Sequence, residues 1–154
     1  MSAPESMQKL VGSWTGTSRL YRPWLSPQES ESGSTASVAL EARSEFITIR
    51  YTWAADGRPQ EGLLLLGSDK DDAAQAVWVD SWHMSEKFMI CVGSISNGGM
   101  LDILGSYSAP TGPDWGWRIV IEPGEQGSFE LVMYNVSPDG EESLAFKNRY
   151  ERPM

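Results

Sequence analysis

At 154 residues the chain suits one domain with a single sizeable core, and it is too short for two ordinary ones. Its 21 acidic residues against 12 basic ones give a net charge of −9, which argues against nucleic acid and against an anionic membrane surface, since both would repel it. The one cysteine, Cys91, excludes an internal disulfide and fits a reducing compartment. It lies in the apolar run Phe88-Met89-Ile90-Cys91-Val92, the setting of an inert buried thiol rather than a nucleophile. The N-terminus has no basic stretch followed by an apolar core, so it does not read as a secretory signal, and no apolar run approaches the roughly 20 residues of a membrane span. The expectation is a soluble cytoplasmic protein, in which the sequon Asn135-Val136-Ser137 carries no meaning.

In chain order, Ser2-Ala3-Pro4-Glu5 reads as a helix start, with a capping serine and then proline and an acid in the first turn. Met7, Leu10 and Val11 form one apolar stripe on a two-turn helix that Gly12 ends, so residues 1–11 are expected to lid a barrel. Strands follow quickly. Trp14 to Tyr21 is the first, ended by Pro23, and Trp24 to Gly33 is the one long polar, loop-like stretch. Thr35 to Ala42 and Phe46 to Trp53 come next, the latter closed by an Asp56-Gly57 turn. Gly62 to Gly67 and Ala76 to Trp82 flank Ser68-Asp69-Lys70-Asp71-Asp72. Phe88 to Ser94 and Met100 to Tyr107 flank Asn97-Gly98-Gly99, the best hairpin signal in the chain. Trp115 to Ile121, Ser128 to Val136 and Ser143 to Tyr150 complete the set, joined by Pro123-Gly124 and Pro138-Asp139-Gly140.

About ten strand-like runs with short connections and no long helical period predict an all-β fold: a single closed antiparallel barrel spanning residues 1–154 with a short N-terminal helix. Leu63 to Leu66, Phe88 to Val92 and Trp117 to Ile121 are apolar on both faces. One face can fill the barrel, and the other needs a cover, for which a second subunit is the simplest choice; a homodimer is expected.

Gly12-x-Trp14-x-Gly16, Glu61-Gly62 opening a Leu-rich strand that ends at Gly67, Trp78-Val79-Asp80-Ser81, and an aromatic-rich last strand bearing Arg149 together resemble the bacterial domain of unknown function 1579. That family is calycin-like, akin in shape to lipocalins and fatty-acid-binding proteins, and the resemblance covers roughly residues 7–152. It implies a ten-stranded barrel with an internal cavity and no established reaction. By similarity to lipocalins, Trp14 would sit under the barrel with Arg149 (or Arg152) stacked across it. The chain departs from the family pattern after Asp80-Ser81, where Trp82-His83-Met84 replaces the usual small residues.

His83 is the only histidine, which excludes a triad or a multi-histidine metal site. It can be a lone general base, an axial haem ligand, or an ordinary hydrogen-bonded histidine near a strand end. Asp80 shares strand parity with Trp78 and Trp82. If that face points inward, a carboxylate lies between two indoles, either usable as an acid or base or satisfied by Arg50, Arg118 or backbone amides. Glu61 is a second candidate carboxylate. Asp69, Asp71 and Asp72 lack the glycine and glutamate of a calcium loop and read as a solvated turn. Seven tryptophans suit the aromatic wall of a small-molecule cavity, though large side chains also simply fill barrels.

The function expected is a binding protein enclosing a small apolar or aromatic ligand, with Arg50, Tyr51, Trp53, Glu61, Trp78, Trp82 and Arg118 as ligand-binding residues and no cofactor or metal. The alternative is a cofactor-free isomerase, cyclase or lyase with Asp80 or His83 as proton carrier. A filled barrel that binds nothing is the third reading.

Overall fold

The computed structural model describes residues 3–125 and 127–153. Ten strands, β1 (Gly12–Tyr21), β2 (Glu29–Glu41), β3 (Phe46–Ala55), β4 (Arg58–Ser68), β5 (Ala73–Asp80), β6 (Met84–Ile95), β7 (Leu101–Tyr107), β8 (Trp115–Pro123), β9 (Ser128–Val136) and β10 (Glu142–Glu151), follow one short helix, α1 (Glu5–Gln8). Each strand pairs antiparallel with its sequence neighbour, and β10 returns to pair with β1, so the sheet closes and has no free edge. This is the all-β barrel that the turn spacing predicts.

Alternation decides what fills it. Ile47, Ile49 and Tyr51 on β3, Leu64 and Leu66 on β4, Met89 and Cys91 on β6, and Leu131 and Met133 on β9 all point inward and are buried. Cys91 is a free thiol inside this core, and burial pushes its pKa up to about 11, as an inert cysteine requires.

One end is sealed. Trp14 is buried under α1, its indole nitrogen donates to the Leu10 carbonyl at 2.7 Å, and the edge of Phe129 packs on it at 4.8 Å. Gly16 on the same strand is required, because a Cβ there would lie 1.7 Å from the Arg149 carbonyl oxygen. The guanidinium over the Trp14 ring, 4.0 Å from its centroid, is that of Arg152 and not Arg149. Arg152 lies beyond the last strand and can turn under the barrel, where it also donates to the carbonyls of Val11 and Lys9. Arg149 sits on the outward parity of β10, exposed, beside Glu130.

Three further expectations change. The helix is one turn rather than two, and Val11 is exposed while Met7 and Leu10 are buried. Its expected cap, Ser2, lies outside the described residues. The polar stretch expected to be loop is strand from Glu29 onward, since closure against β1 supplies the backbone partners that its composition does not advertise. No helix is long and apolar enough to cross a membrane.

Candidate functional site at the barrel mouth

The end opposite the helix carries the turn that joins β5 to β6, residues 81–83. Strand β5 stops at Asp80 because its side chain competes for the backbone: Oδ1 accepts the N–H groups of Trp82 and His83, both at 2.9 Å. Trp82 therefore leaves the strand and is 37% exposed, where strand parity would have placed it beside Trp78. The other carboxylate oxygen, Oδ2, accepts the Tyr51 hydroxyl at 2.7 Å and the Trp53 indole nitrogen at 3.3 Å. Trp78 in turn donates to the Tyr51 oxygen at 3.0 Å. Asp80 is thus inward and buried, as its parity requires, but four donors occupy the roughly four acceptor positions of a carboxylate. Neither Arg50 nor Arg118 reaches it. This leaves Asp80 as the anchor of a turn, with no lone pair free for a substrate proton.

Gly62, opposite Asp80 on β4, makes room for this network. A Cβ there would meet the Tyr51 ring at 2.0 Å. Burial raises the Tyr51 hydroxyl pKa well above its ordinary range and the Asp80 charge adds to the effect, so Tyr51 remains a donor.

The turn delivers His83 into a nest of rings. Its imidazole stacks on Trp53 (centroids 5.3 Å apart, planes at 21°) and meets Trp82 at 4.8 Å, Phe146 at 5.1 Å, Trp117 at 5.3 Å and Trp78 at 5.9 Å. The residue is half-buried overall, but the rings packed around its imidazole shield it from water and lower its pKa to about 4 against the weaker opposing pull of Asp80, so the ring is neutral near pH 7. Its Nε2 is buried and finds no hydrogen-bond partner among the described residues. An unpaired buried polar atom costs about 1–3 kcal/mol, so the ring is held there against a penalty.

Two small spaces adjoin it. One, about 170 Å³, is walled by Trp78, His83, Met84, Met89, Tyr107 and Trp117. The other, about 110 Å³, reaches from His83 and Trp117 past Asn135 toward Tyr21, Arg22 and Trp24. The other polar atoms around the first are engaged: Tyr107 donates to Asn135, Trp78 to Tyr51, and Trp117 to the Met133 sulfur. These spaces match single rings and are too small for a porphyrin unless the walls move. Among the described residues no group of three or more His, Cys, Asp or Glu side chains is placed to hold a metal ion.

Residues 2–152 match the family described as "Protein of unknown function (DUF1579)". The chain belongs to that family. No curated protein matches it. Among solved structures, the DUF1579 barrel is similar to Rv2717c from M. tuberculosis, with a TM-score of 0.66 and 17% identity over 99% of this chain and 100% of that one. At that identity the likeness shows the fold alone.

Of the residues singled out from the sequence of this DUF1579 protein, the fold brings Tyr51, Trp53, Trp78, Asp80, Trp82 and His83 together at the mouth. It does not bring Arg50, Glu61 or Arg118. Arg50 and Glu61 occupy outward positions on β3 and β4 and are exposed. Arg118 points outward from β8, bonded to Asp102 at 2.7 and 2.8 Å and to Glu142 at 3.0 Å, with its guanidinium over Tyr134. An odd-even shift between neighbouring strands sends these charges to solvent, where ionised groups cost least. Trp117, one of the tryptophans expected to wall a cavity, does meet His83. Sequence reasoning missed Tyr107 and Asn135 near that ring. It also missed an interior polar group in which Tyr150 bonds Ser34 and Asn148 at 2.7 Å each. Asn148 shares the parity of Phe146 and Tyr150, a polar residue on an otherwise apolar face, and that was the available signal.

Proposed function

We propose that this protein is a calycin-like small-molecule-binding barrel whose mouth holds one ring-sized, largely apolar or aromatic molecule with a single polar group directed at His83. The observation that carries the reading is the unpartnered Nε2 of a neutral imidazole, set in aromatic walls beside a space of about 170 Å³. An apolar cavity of about 150 Å³ is enough to take up benzene, so the volume suits one aromatic ring. A neutral imidazole favours a neutral ligand, because a charged one would be stripped of water without a counter-charge. Specificity rests on His83 with Tyr107 and Asn135 at the rim, and not on Arg50, Glu61 or Arg118. The free, buried Cys91 suits a reducing, cytoplasmic setting. Acid–base catalysis gains no support, since the Asp80 oxygens are fully engaged and the His83 ring is a weak base.

Phenol serves as a test probe, because its hydroxyl can donate to or accept from Nε2. Added in solution, it should shift the indole resonances of Trp78 and Trp117 and the His83 ring signals together and saturably. Shifts confined to other residues, or none at millimolar phenol, would reject the site.

A further inference from the structure

The outward side chains of the barrel are not evenly distributed. On β1 and β2 they are Ser13, Thr15, Thr17, Arg19, Glu29, Glu31, Thr35 and Ser37, ordinary solvated residues. On β8 and β9, Val120 and Val132 are apolar yet only 6% and 7% exposed, because neighbouring side chains of the same chain cover them. This removes Trp117 to Ile121 from the segments that need an external cover. On β6 the situation differs. Phe88, Ile90 and Val92 stand in a row at 64%, 64% and 61% exposure, and Leu104 on β7, paired with Val92, is 50% exposed. Leu65 and Val77 continue the apolar surface across β4 and β5, paired with each other and then with Ile90.

We infer that this β4–β7 face binds a second copy of the chain through a two-fold contact. The β6 row is a ridge with hollows beside it. An open groove of about 880 Å³ starts at Ser13, Thr15, Thr35 and Ser37 on β1 and β2 and runs past Leu63 and Val79 to Phe88 on this face, and a smaller one of about 240 Å³ is lined by Leu65, Val77 and Ile90. A surface that carries both a ridge and the hollows to receive it is self-complementary, as a two-fold interface must be, since each copy presents the same patch. Charge points the same way. The chain carries −9 overall, yet the larger groove is edged by two cations, Arg50 and Lys87, and two anions, Glu61 and Glu86. Rotating one copy onto another can set unlike charges face to face around an apolar centre, the usual anatomy of such contacts. This inference is independent of ligand binding at the mouth.

Sedimentation velocity of the full chain from 1 to 50 micromolar tests it. The expected species is a dimer of the 17.0 kDa chain. Ile90→Glu and, separately, Val92→Glu should raise the dimer dissociation constant at least 100-fold with circular dichroism unchanged, because both side chains are solvent-exposed in the single chain. Lys147→Glu on β10, which lines neither groove, should leave it unchanged. A monomer throughout this range overturns the inference, and so does a dimer that survives both β6 substitutions or is broken by Lys147→Glu.

Discussion

The Asp80 carboxylate accepts the backbone N–H of His83 at 2.9 Å, and through this bond a residue buried in the barrel wall sets the position of the ring that plugs its mouth. The second oxygen of the same carboxylate is held by Tyr51 and Trp53, so the turn and the core share one anchor. Strand, turn and candidate site are consequently coupled, and disturbing any one should register in the others.

Asp80 is the first place to test that coupling. Replacing it with alanine strands the Tyr51 hydroxyl, the Trp53 indole N–H and two backbone amides in an apolar setting. The expected loss is about 3–5 kcal/mol in a urea melt, the scale of breaking a buried polar network. Asp80→Asn keeps one acceptor for the amides but turns an NH₂ toward two donors, and should cost about 2 kcal/mol. A change below about 1 kcal/mol for the alanine variant would show that the turn is held by something else.

His83 makes stability depend on pH with a defined sign. The folded imidazole resists protonation down to about pH 4, whereas the unfolded one titrates near 6.5. Between these values the unfolded chain binds more protons, so stability falls as the pH drops through that window and is fully present above it. The contribution from this residue is up to about 3 kcal/mol. His83→Phe keeps a ring in the nest without a titrating group and should flatten the stability curve between pH 4 and 6.5. An unchanged slope in the variant would contradict the burial of the imidazole.

At the sealed end, Arg152 and Arg149 should behave differently although they are three residues apart. Arg152→Ala removes the cation over Trp14 and two bonds to the carbonyls after α1, for an expected cost of about 1–2 kcal/mol. Arg149→Ala touches only an exposed pair with Glu130 and should stay within about 0.5 kcal/mol. Trp14→Ala should cost about 3–5 kcal/mol, the range for deleting a buried large aromatic. Thermal or urea melts of the three variants decide the order, and equal effects of the two arginines would refute it.

The barrel was legible in the sequence because its strands are short, separated by clear turn residues such as Asn97-Gly98-Gly99, and paired with their sequence neighbours. Trp14 was legible for the same local reason, since a Gly-x-Trp opens the first strand directly after the helix. Asp80 could be placed inward by parity, but the end of its strand could not be seen. The bond from its carboxylate to the next amides overrides the apolar pattern that continues to Trp82. The partners of His83 were illegible because they come from β3, β5, β8 and β10, and only barrel closure brings those strands around one point. Arg50, Glu61 and Arg118 were nominated by their chemistry alone, and register sends them outward, Arg50 and Glu61 onto the edge of the outer groove and Arg118 to Asp102 and Glu142.

Isothermal calorimetry of phenol with the wild-type protein and with His83→Phe at pH 7 tests the central claim most directly. The account predicts one saturable site per chain in the wild type and at least a tenfold weaker affinity in the variant, which keeps the aromatic walls but removes the unpaired Nε2. The absence of saturable binding to the wild type, or equal affinity in His83→Phe, would contradict it.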